Sequence, residues 1–389
     1  MSSRVLFLSR EESRSRLRSS ARRDVLSGPS TSASPRAASR RGFALTELLL
    51  VVLAVAALIG LVMWVQFMYI TPREEGSHAS TGRGKYGSLL PVYGLAVSEE
   101  QDCVAGGGQD GRLHLWRLST GEYLYCLDHQ QRGIKALAFA PGGEQLYAGL
   151  TSGDLVVWHD IFEFPLAVEV AAHAGEIFDL TVSQDGRFVA TGGTDPQIRV
   201  WETGNWSLKA ELAGHDDHVR CLQFTADGHQ LLSGGIDGTV RLWDIERGEQ
   251  LWMQSPHRGR SVDCIAIAPD GKSFLTGGRD TQIRHWDLAS RQLLRTYGGH
   301  KADVKALCFS PDGTQFVSGS WDHRIGIRDL EQGEMVPMSG HCALVRRVLY
   351  FQNGRTILSS SWDGTIRMWD SLHAREIRQF EKPARPHTL

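Results

Sequence analysis

Residues 232–244 read Leu-Ser-Gly-Gly-Ile-Asp-Gly-Thr-Val-Arg-Leu-Trp-Asp. Read locally, this is a short strand, a tight turn at Asp237-Gly238, and a second strand closing on Trp243-Asp244. The phrase returns at residues 275–287 (LTGGRDTQIRHWD) and 358–370 (LSSSWDGTIRMWD), and looser copies surround Trp116, Trp158, Trp201 and Arg328. The terminal residue of the unit falls at Trp116, Trp158, Trp201, Trp243, Trp286, Arg328 and Trp369, at spacings of 41 to 43. Seven units at a fixed period make this a repeat chain. Each unit buries its apolar face against its neighbour, and most of the assembly is a surface for binding.

Each unit parses as four short strands. In the fourth, residues 219–224 form the inner strand, residues 230–233 begin the second, residues 239–243 the third and residues 250–253 the outer one. Asp-Gly, Gly-Gly or Asn-Gly pairs separate the first two strands (Gly142-Gly143, Asp185-Gly186, Asp227-Gly228, Asp270-Gly271, Asp312-Gly313, Asn353-Gly354). These residues supply the positive φ that tight hairpins need.

Gly-His recurs in phase with the Trp-Asp mark, at Gly214-His215, Gly299-His300 and Gly340-His341. Looser forms are Asp128-His129, Ala172-His173 and Pro256-His257. With these marks, residues 86–381 resemble a WD40 (Gβ-like) propeller. The resemblance implies an all-β, seven-bladed β-propeller. In that family a His, a strand Ser or Thr, a turn Asp and the Trp form a buried hydrogen-bonded tetrad. Matched by position, the members are His173, Thr191, Asp195 and Trp201 in the third blade, and His215, Ser233, Asp237 and Trp243 in the fourth. The fifth has His257, Thr276, Asp280 and Trp286, and the seventh His341, Ser359, Asp363 and Trp369. The sixth keeps His300, Ser318 and Asp322 but has Arg328 for Trp. The first two blades lack the strand hydroxyl (Ala105, Ala148) and are expected to rest mainly on apolar packing. Ser, His and Asp in this order also fit a hydrolase triad. Recurrence in several blades assigns them to stability instead, so no catalytic residue is expected.

The resemblance also implies a contact face, the one bearing the turn before the third strand and the loop before the inner strand. Residues preceding the turn Asp point outward there: Gln109, Thr194, Ile236, Arg279, Trp321 and Trp362, rimmed by Glu176, His218, Asp303 and Leu344. The adjacent Trp321 and Trp362 are candidates for an aromatic binding pair, or for packing lids over neighbouring blades. Partners are expected to be proteins.

Ahead of the repeats the composition changes. Residues 1–42 carry ten Arg against Glu11, Glu12 and Asp24, a net of +7 that leaves −9 on the rest of the chain. A basic, Ser-rich leader of this kind is expected to be disordered. The acidic remainder is a poor match for phosphate backbones, so nucleic acid is not expected as a partner. Residues 48–65 then run for eighteen positions without a charge or polar amide, and the apolar segment continues to Ile70 before Thr71-Pro72. A helix over 43–70 is long enough to cross a lipid bilayer. Arg40 and Arg41 before it place the N-terminus in the cytoplasm and the repeats on the far side of the membrane. The run Arg40-Arg41-Gly42-Phe43-Ala44-Leu45-Thr46-Glu47 resembles the type IV prepilin cleavage and methylation motif. The resemblance implies a cut between Gly42 and Phe43, with Glu47 as the acidic fifth residue of the mature chain. A leader of 42 residues is long for that family, and no pilin stalk follows Pro72. A plain uncleaved signal anchor is the other reading, and a pilin-like envelope assembly component is the alternative function.

Residues 71–85 read as a flexible linker and residues 382–389 as a disordered tail. Ring closure is expected from packing between the first and last blades, with residues 88–90 as a possible extra edge strand. Residues 376–380 supply the last blade's own outer strand. Cys103, Cys126, Cys221, Cys264, Cys308 and Cys342 have no metal-ligand spacing and are expected as small core residues. The fifteen His form no compact metal signature, and no cofactor or metal is expected. An enzyme working in the propeller channel would need converging ligands. The inner strands read as mostly apolar and small (LAVS, ALAFA, DLTVS, CLQFT, CIAIA, ALCFS, RVLYF), which argues against one.

Overall fold

A computed structural model describes residues 90–128, 132–162, 166–351 and 353–383. They form seven four-stranded antiparallel sheets, each running inner to outer in chain order. The blades occupy residues 92–128, 134–171, 177–212, 219–254, 262–297, 304–338 and 345–380. The fourth blade shows how the alternating sequence makes the layer. Leu231, Leu232, Leu242 and Trp243 lie buried between blades, whereas its outer strand Glu249–Gln254 has exposed or half-buried side chains throughout. The glycines of the first hairpins take the positive φ they were chosen for, with Gly186 at 72°, Gly228 at 70° and Gly271 at 68°. The turn before the third strand is less uniform. Gly238 and Gly364 hold its left-handed position in the fourth and seventh blades, but Thr281 (66°) and His323 (68°) hold it in the fifth and sixth.

Every inner strand carries one irregularity near its start, where its register slips by a residue against the second strand. The residue left out of register is Tyr93, Lys135, Phe178, Arg220, Asp263, Lys305 or Arg346, one from each blade. A bulge re-aims such a side chain away from the regular pleat. Seven equivalent bulges therefore set a ring of side chains at one mouth of the channel.

The ring closes without strand exchange. Val92, Leu95, Val104 and Trp116 of the first blade share one apolar cluster with Leu358, Ile366, Met368 and Phe380 of the seventh. Approach is close. A Cβ on Gly106 would sit 2.5 Å from the Ile366 Cδ1, so a larger residue there would have to displace that side chain across the seam. The chain then continues past its last strand and crosses the seam. The Trp116 indole donates to the Glu381 carbonyl at 3.0 Å, Arg378 donates to the Ser119 carbonyl at 3.1 Å, and the Lys382 ammonium lies 3.5 Å from Asp110. Lys382, expected in the tail 382–389, is thus part of a clasp across the seam. Leu90 is exposed and belongs to no strand. The expected leader 1–42, membrane helix 43–70, linker 71–85 and processing residues Gly42, Phe43 and Glu47 lie outside the described residues, as do residues 88–89 and 384–389. Among the described residues no helix is long and apolar enough to cross a membrane.

The cysteine expectation needs one correction. No disulfide joins any of the six, and Cys103, Cys126, Cys221 and Cys264 are buried, but Cys342 is exposed. It follows the tetrad His341, and its backbone N–H donates to Asp363 at 3.0 Å, which turns the side chain outward. Asp216 and Lys301 hold the same place in other blades, bonded the same way, and are exposed too.

Candidate functional site

Two polar layers lie near the same mouth, and they differ in what they can do. In the third to seventh blades a buried imidazole takes a carboxylate at Nδ1 (2.6–3.0 Å) and a hydroxyl at Nε2 (2.7–3.1 Å). The pairs are His173 with Asp195 and Thr191, His215 with Asp237 and Ser233, His257 with Asp280 and Thr276, His300 with Asp322 and Ser318, and His341 with Asp363 and Ser359. In four of these blades an indole N–H also donates to the hydroxyl: Trp201 to Thr191, Trp243 to Ser233, Trp286 to Thr276 and Trp369 to Ser359, at 2.8–3.1 Å. An ionised carboxylate can only accept, so Nδ1 carries the proton. Ser233 and its four counterparts have no exposed surface. No substrate can reach these hydroxyls, and the resemblance to a nucleophile and its base ends there.

Burial pushes the turn carboxyls up, but the hydrogen bond from the imidazole more than offsets it. Asp280 and Asp322 are held at about 2, and Asp237 and Asp363 are held well below the usual carboxylate range. Burial likewise pulls the His173 imidazole down, opposed by Asp195.

A fifth member of this layer was legible in the sequence but not read there. Four residues after the turn Asp stands Arg199, Arg241, Arg284 or Arg367, whose guanidinium lies 2.7–3.9 Å from that Asp. In the sixth blade this position is Gly326. Arg328 instead fills the tryptophan slot, 3.1 Å from where a Cβ on Gly299 would be, and its Nε has no hydrogen-bond partner. The Trp243 and Trp369 rings meet Gly214 and Gly340 in the same way. The first blade departs from its expected apolar make-up. His114, four residues after Asp110, bonds that carboxylate at 3.0 Å and the Tyr123 hydroxyl at 3.0 Å. The ring is thus rebuilt from the third strand rather than from the Gly-His loop. In the second blade Asp154 accepts from Ser152 at 2.6 Å and from Arg132 at 3.1 Å.

The second layer is the bulge ring, which corrects the reading of the inner strands as apolar and small. That reading holds only in part, since Leu95, Leu137, Leu222, Ile265 and Leu307 line a channel cavity of about 290 Å³ together with Asp179, Gln223 and Arg347. At the mouth it fails. Lys305 donates to Asp263 at 2.8 Å and lies 3.0 Å from Asp303, and Lys135 lies 3.4 Å from Glu176. Arg347 of the seventh blade reaches across the channel to pair with Asp179 of the third. Burial raises the Asp263 carboxyl and Lys305 more than offsets it, leaving it lowered. The signal was available as the residue just after the first Val or Ile of each inner strand, but it differs from blade to blade and so escapes any search for repeats.

The predicted contact residues sort themselves against this ring. Trp362 is 41% exposed; Trp321 is half-buried, with its ring centroid 6.3 Å from that of Trp362. Tyr93 meets Trp362 edge-on at 5.9 Å, the Lys305 ammonium lies 4.2 Å over Trp321, and the Lys135 ammonium 4.4 Å over Tyr93. A continuous aromatic and cationic strip therefore runs from the sixth blade through the seventh and first to the second. Gln109 and Arg279 are exposed, and Arg279 faces Asp303 at 3.9 Å. His218 packs on Phe178 at 5.7 Å, while Thr194, Ile236, Glu176 and Leu344 are half-buried and stand apart from the strip's aromatic contacts.

Comparison with known proteins agrees with this geometry. The family model described as WD domain, G-beta repeat matches residues 165–202, 206–244, 248–287, 291–329 and 334–370. Residues of the chain are 33% identical over 124 positions to the small ribosomal subunit protein RACK1 of Schizosaccharomyces pombe, covering 30% of this chain and 39% of that one. They are 26% identical over 126 positions to the chromatin assembly factor 1 subunit FAS2 homolog of Oryza sativa subsp. japonica, covering 29% and 25%. The match spans well under half the length of either relative.

Proposed function

From a chain that carries WD40 repeats and closes them into a seven-bladed propeller, we propose a non-catalytic protein-interaction scaffold, tethered to a membrane through residues 43–70. The observation that carries the binding role is the Trp321–Trp362–Tyr93 strip with its two overlying ammonium groups. An exposed tryptophan beside a second, half-buried one has the composition of an interface hot spot, and Lys305 holds the pair in place. One relative is named as a protein of the small ribosomal subunit and the other as a subunit of a chromatin assembly factor, and membership of multi-component assemblies is in keeping with a scaffold. The test is capture of binding proteins by the full-length chain. Trp321→Ala with Trp362→Ala should abolish capture while the folded circular dichroism spectrum persists; undiminished capture refutes the reading.

The tether and the placement of the propeller away from the cytoplasm rest on the charge-free run of residues 48–65 and on Arg40 and Arg41 before it. Cys342 offers a native reporter, because it is the exposed thiol. A membrane-impermeant maleimide should label it from outside the cytoplasmic membrane, and labelling only after lysis overturns the orientation. The Gly42-Phe43 and Glu47 motif favours a second reading, a processed envelope component. Mass spectrometry of the mature N-terminus decides it: a chain beginning at Phe43 supports processing and an intact leader removes it.

A further inference from the structure

The charges of the channel mouth pair off with one exception. Asp179 is taken by Arg347, Asp263 and Asp303 by Lys305, and Glu176 by Lys135. Arg220 lies 3.9 Å from the already engaged Asp263, stacks 4.5 Å over Phe178, and leaves its Nε without a hydrogen bond. Arg346, the seventh blade's member of the ring, is half-buried and has neither a hydrogen bond nor an ion pair among the described residues. The charges that act on it are Arg347 and Arg220, of its own sign, and Asp179 and Asp263, each already claimed. Burial first, and these two guanidiniums next, pull Arg346 down to about 10. A guanidinium drawn partly out of water beside like charges and without a counter-charge is unfavourable, so the mouth has a place for one more anion.

We propose that the channel mouth is an oxyanion seat, in which a carboxylate or phosphoryl group on an extended protein segment docks on Arg346 with Arg220 as a second donor. The fork of a guanidinium matches two oxygens of either group, which a lysine at this position would not. Tyr93 and Trp362, next to Arg346 in blade order, supply an aromatic wall for the residues flanking the anion. The Arg347–Asp179 bridge spans the channel, so the ligand rests on the mouth rather than threading the ring. A single oxyanion suits this place. A polyanion does not, since the chain beyond residue 42 carries a net −9. The inference rests on reading this face as the binding surface, but it can be tested without any partner.

The experiment follows the thermal midpoint of the full-length chain with millimolar blocked tripeptides Gly-Glu-Gly, Gly-phosphoSer-Gly and Gly-Gln-Gly at constant ionic strength. The wild type should be raised by one or both anionic peptides and not by the neutral one. Arg346→Gln should weaken the response at least about tenfold, the loss of one charge-assisted bidentate contact. A response to the phosphorylated peptide alone identifies a phosphoryl group as the ligand, and equal responses identify a carboxylate as sufficient. In peptide-free buffer R346Q should be at least as stable as the wild type, because it removes an unpaired charge; a merely structural Arg346 would make it less stable. If R346Q does not fold, Arg346→Met carries the same test. No anion-dependent rise, an equal rise with Gly-Gln-Gly, or a rise kept in the variant overturns the seat. A short oligodeoxythymidine binding through Arg346 more tightly than either peptide overturns the protein source. Partner capture lost in the tryptophan double variant but kept in R346Q would sink the seat and leave the scaffold reading standing.

Discussion

The tetrad layer and the bulge ring occupy the same mouth of the same blades, yet they obey opposite rules. The tetrad repeats its residue types at one spacing, seals its hydroxyls from solvent and satisfies both imidazole nitrogens. The bulge ring changes residue in every blade, runs from Tyr93 and Phe178 to Asp263 and Arg346, and leaves some donors unmet. A group that does the same job in blade after blade keeps its residue types, here in five of the seven. A ring that must recognise one object has no reason to be symmetric. The comparison also explains why Ser, His and Asp here carry no chemistry, although their order invites it: a nucleophile needs access, and these have none.

Acid should weaken the tetrad layer. The turn carboxyls titrate near 3.9 in an unfolded chain. In the fold Asp280 and Asp322 sit at about 2, and Asp237 and Asp363 are lowered as well. The unfolded state therefore takes up protons first. Stability is whole above about pH 4 and falls as pH drops toward 2, by on the order of 2 kcal/mol for each of Asp280 and Asp322. Urea midpoints measured from pH 6 to pH 2 should show this decline, and a flat profile would contradict the tetrad electrostatics. Removing a single carboxylate is the next largest change. Asp237→Ala leaves His215, Arg241 and the Asp216 amide without their acceptor and should cost on the order of 3 kcal/mol in denaturant titration.

Ending the chain at Phe380 removes the acceptor of the Trp116 indole and the Lys382–Asp110 pair. A loss of about 1–2 kcal/mol is expected, with hydrogen exchange rising in the first and last blades only. Uniform loosening of all seven blades would show that the seam is not a local lock. Arg328→Trp tests whether the sixth blade is an impaired copy. It removes a buried Nε without a partner and returns an indole donor to Ser318, so a gain of about 1 kcal/mol is expected. A loss would assign Arg328 a role of its own. The smallest effect belongs to the turn. Thr281 is β-branched at a φ of 66°, where Gly238 stands in the fourth blade, and Thr281→Gly should raise the thermal midpoint by about 1 °C.

Much of this was legible in order along the chain. The blade period, the hairpin glycines and the members of five tetrad sites follow from a pattern that repeats every 41 to 43 residues, because each blade folds by contacts within itself. The arginine four residues after the turn Asp could have been read the same way, and His114 in the first blade with it. Cys342 was misread as a core residue because all six cysteines were taken together, though the exposed Asp216 and Lys301 in equivalent places mark its position as surface.

What the period could not contain is who meets whom across the axis. Arg347 and Asp179 are 168 residues apart, and neither residue type recurs at its position in the other blades. The same holds for the clasp of Glu381 on Trp116 and Lys382 on Asp110, and for the unmatched Arg346. By itself the sequence determined the blade, its turns and its buried polar frame, since those depend on neighbours a few residues away. Only closing the seven blades into a ring decided the seam, the bridge over the channel and the charge left over at its mouth. These contacts join distant segments, and their geometry is the sum of seven small rotations that no single repeat records.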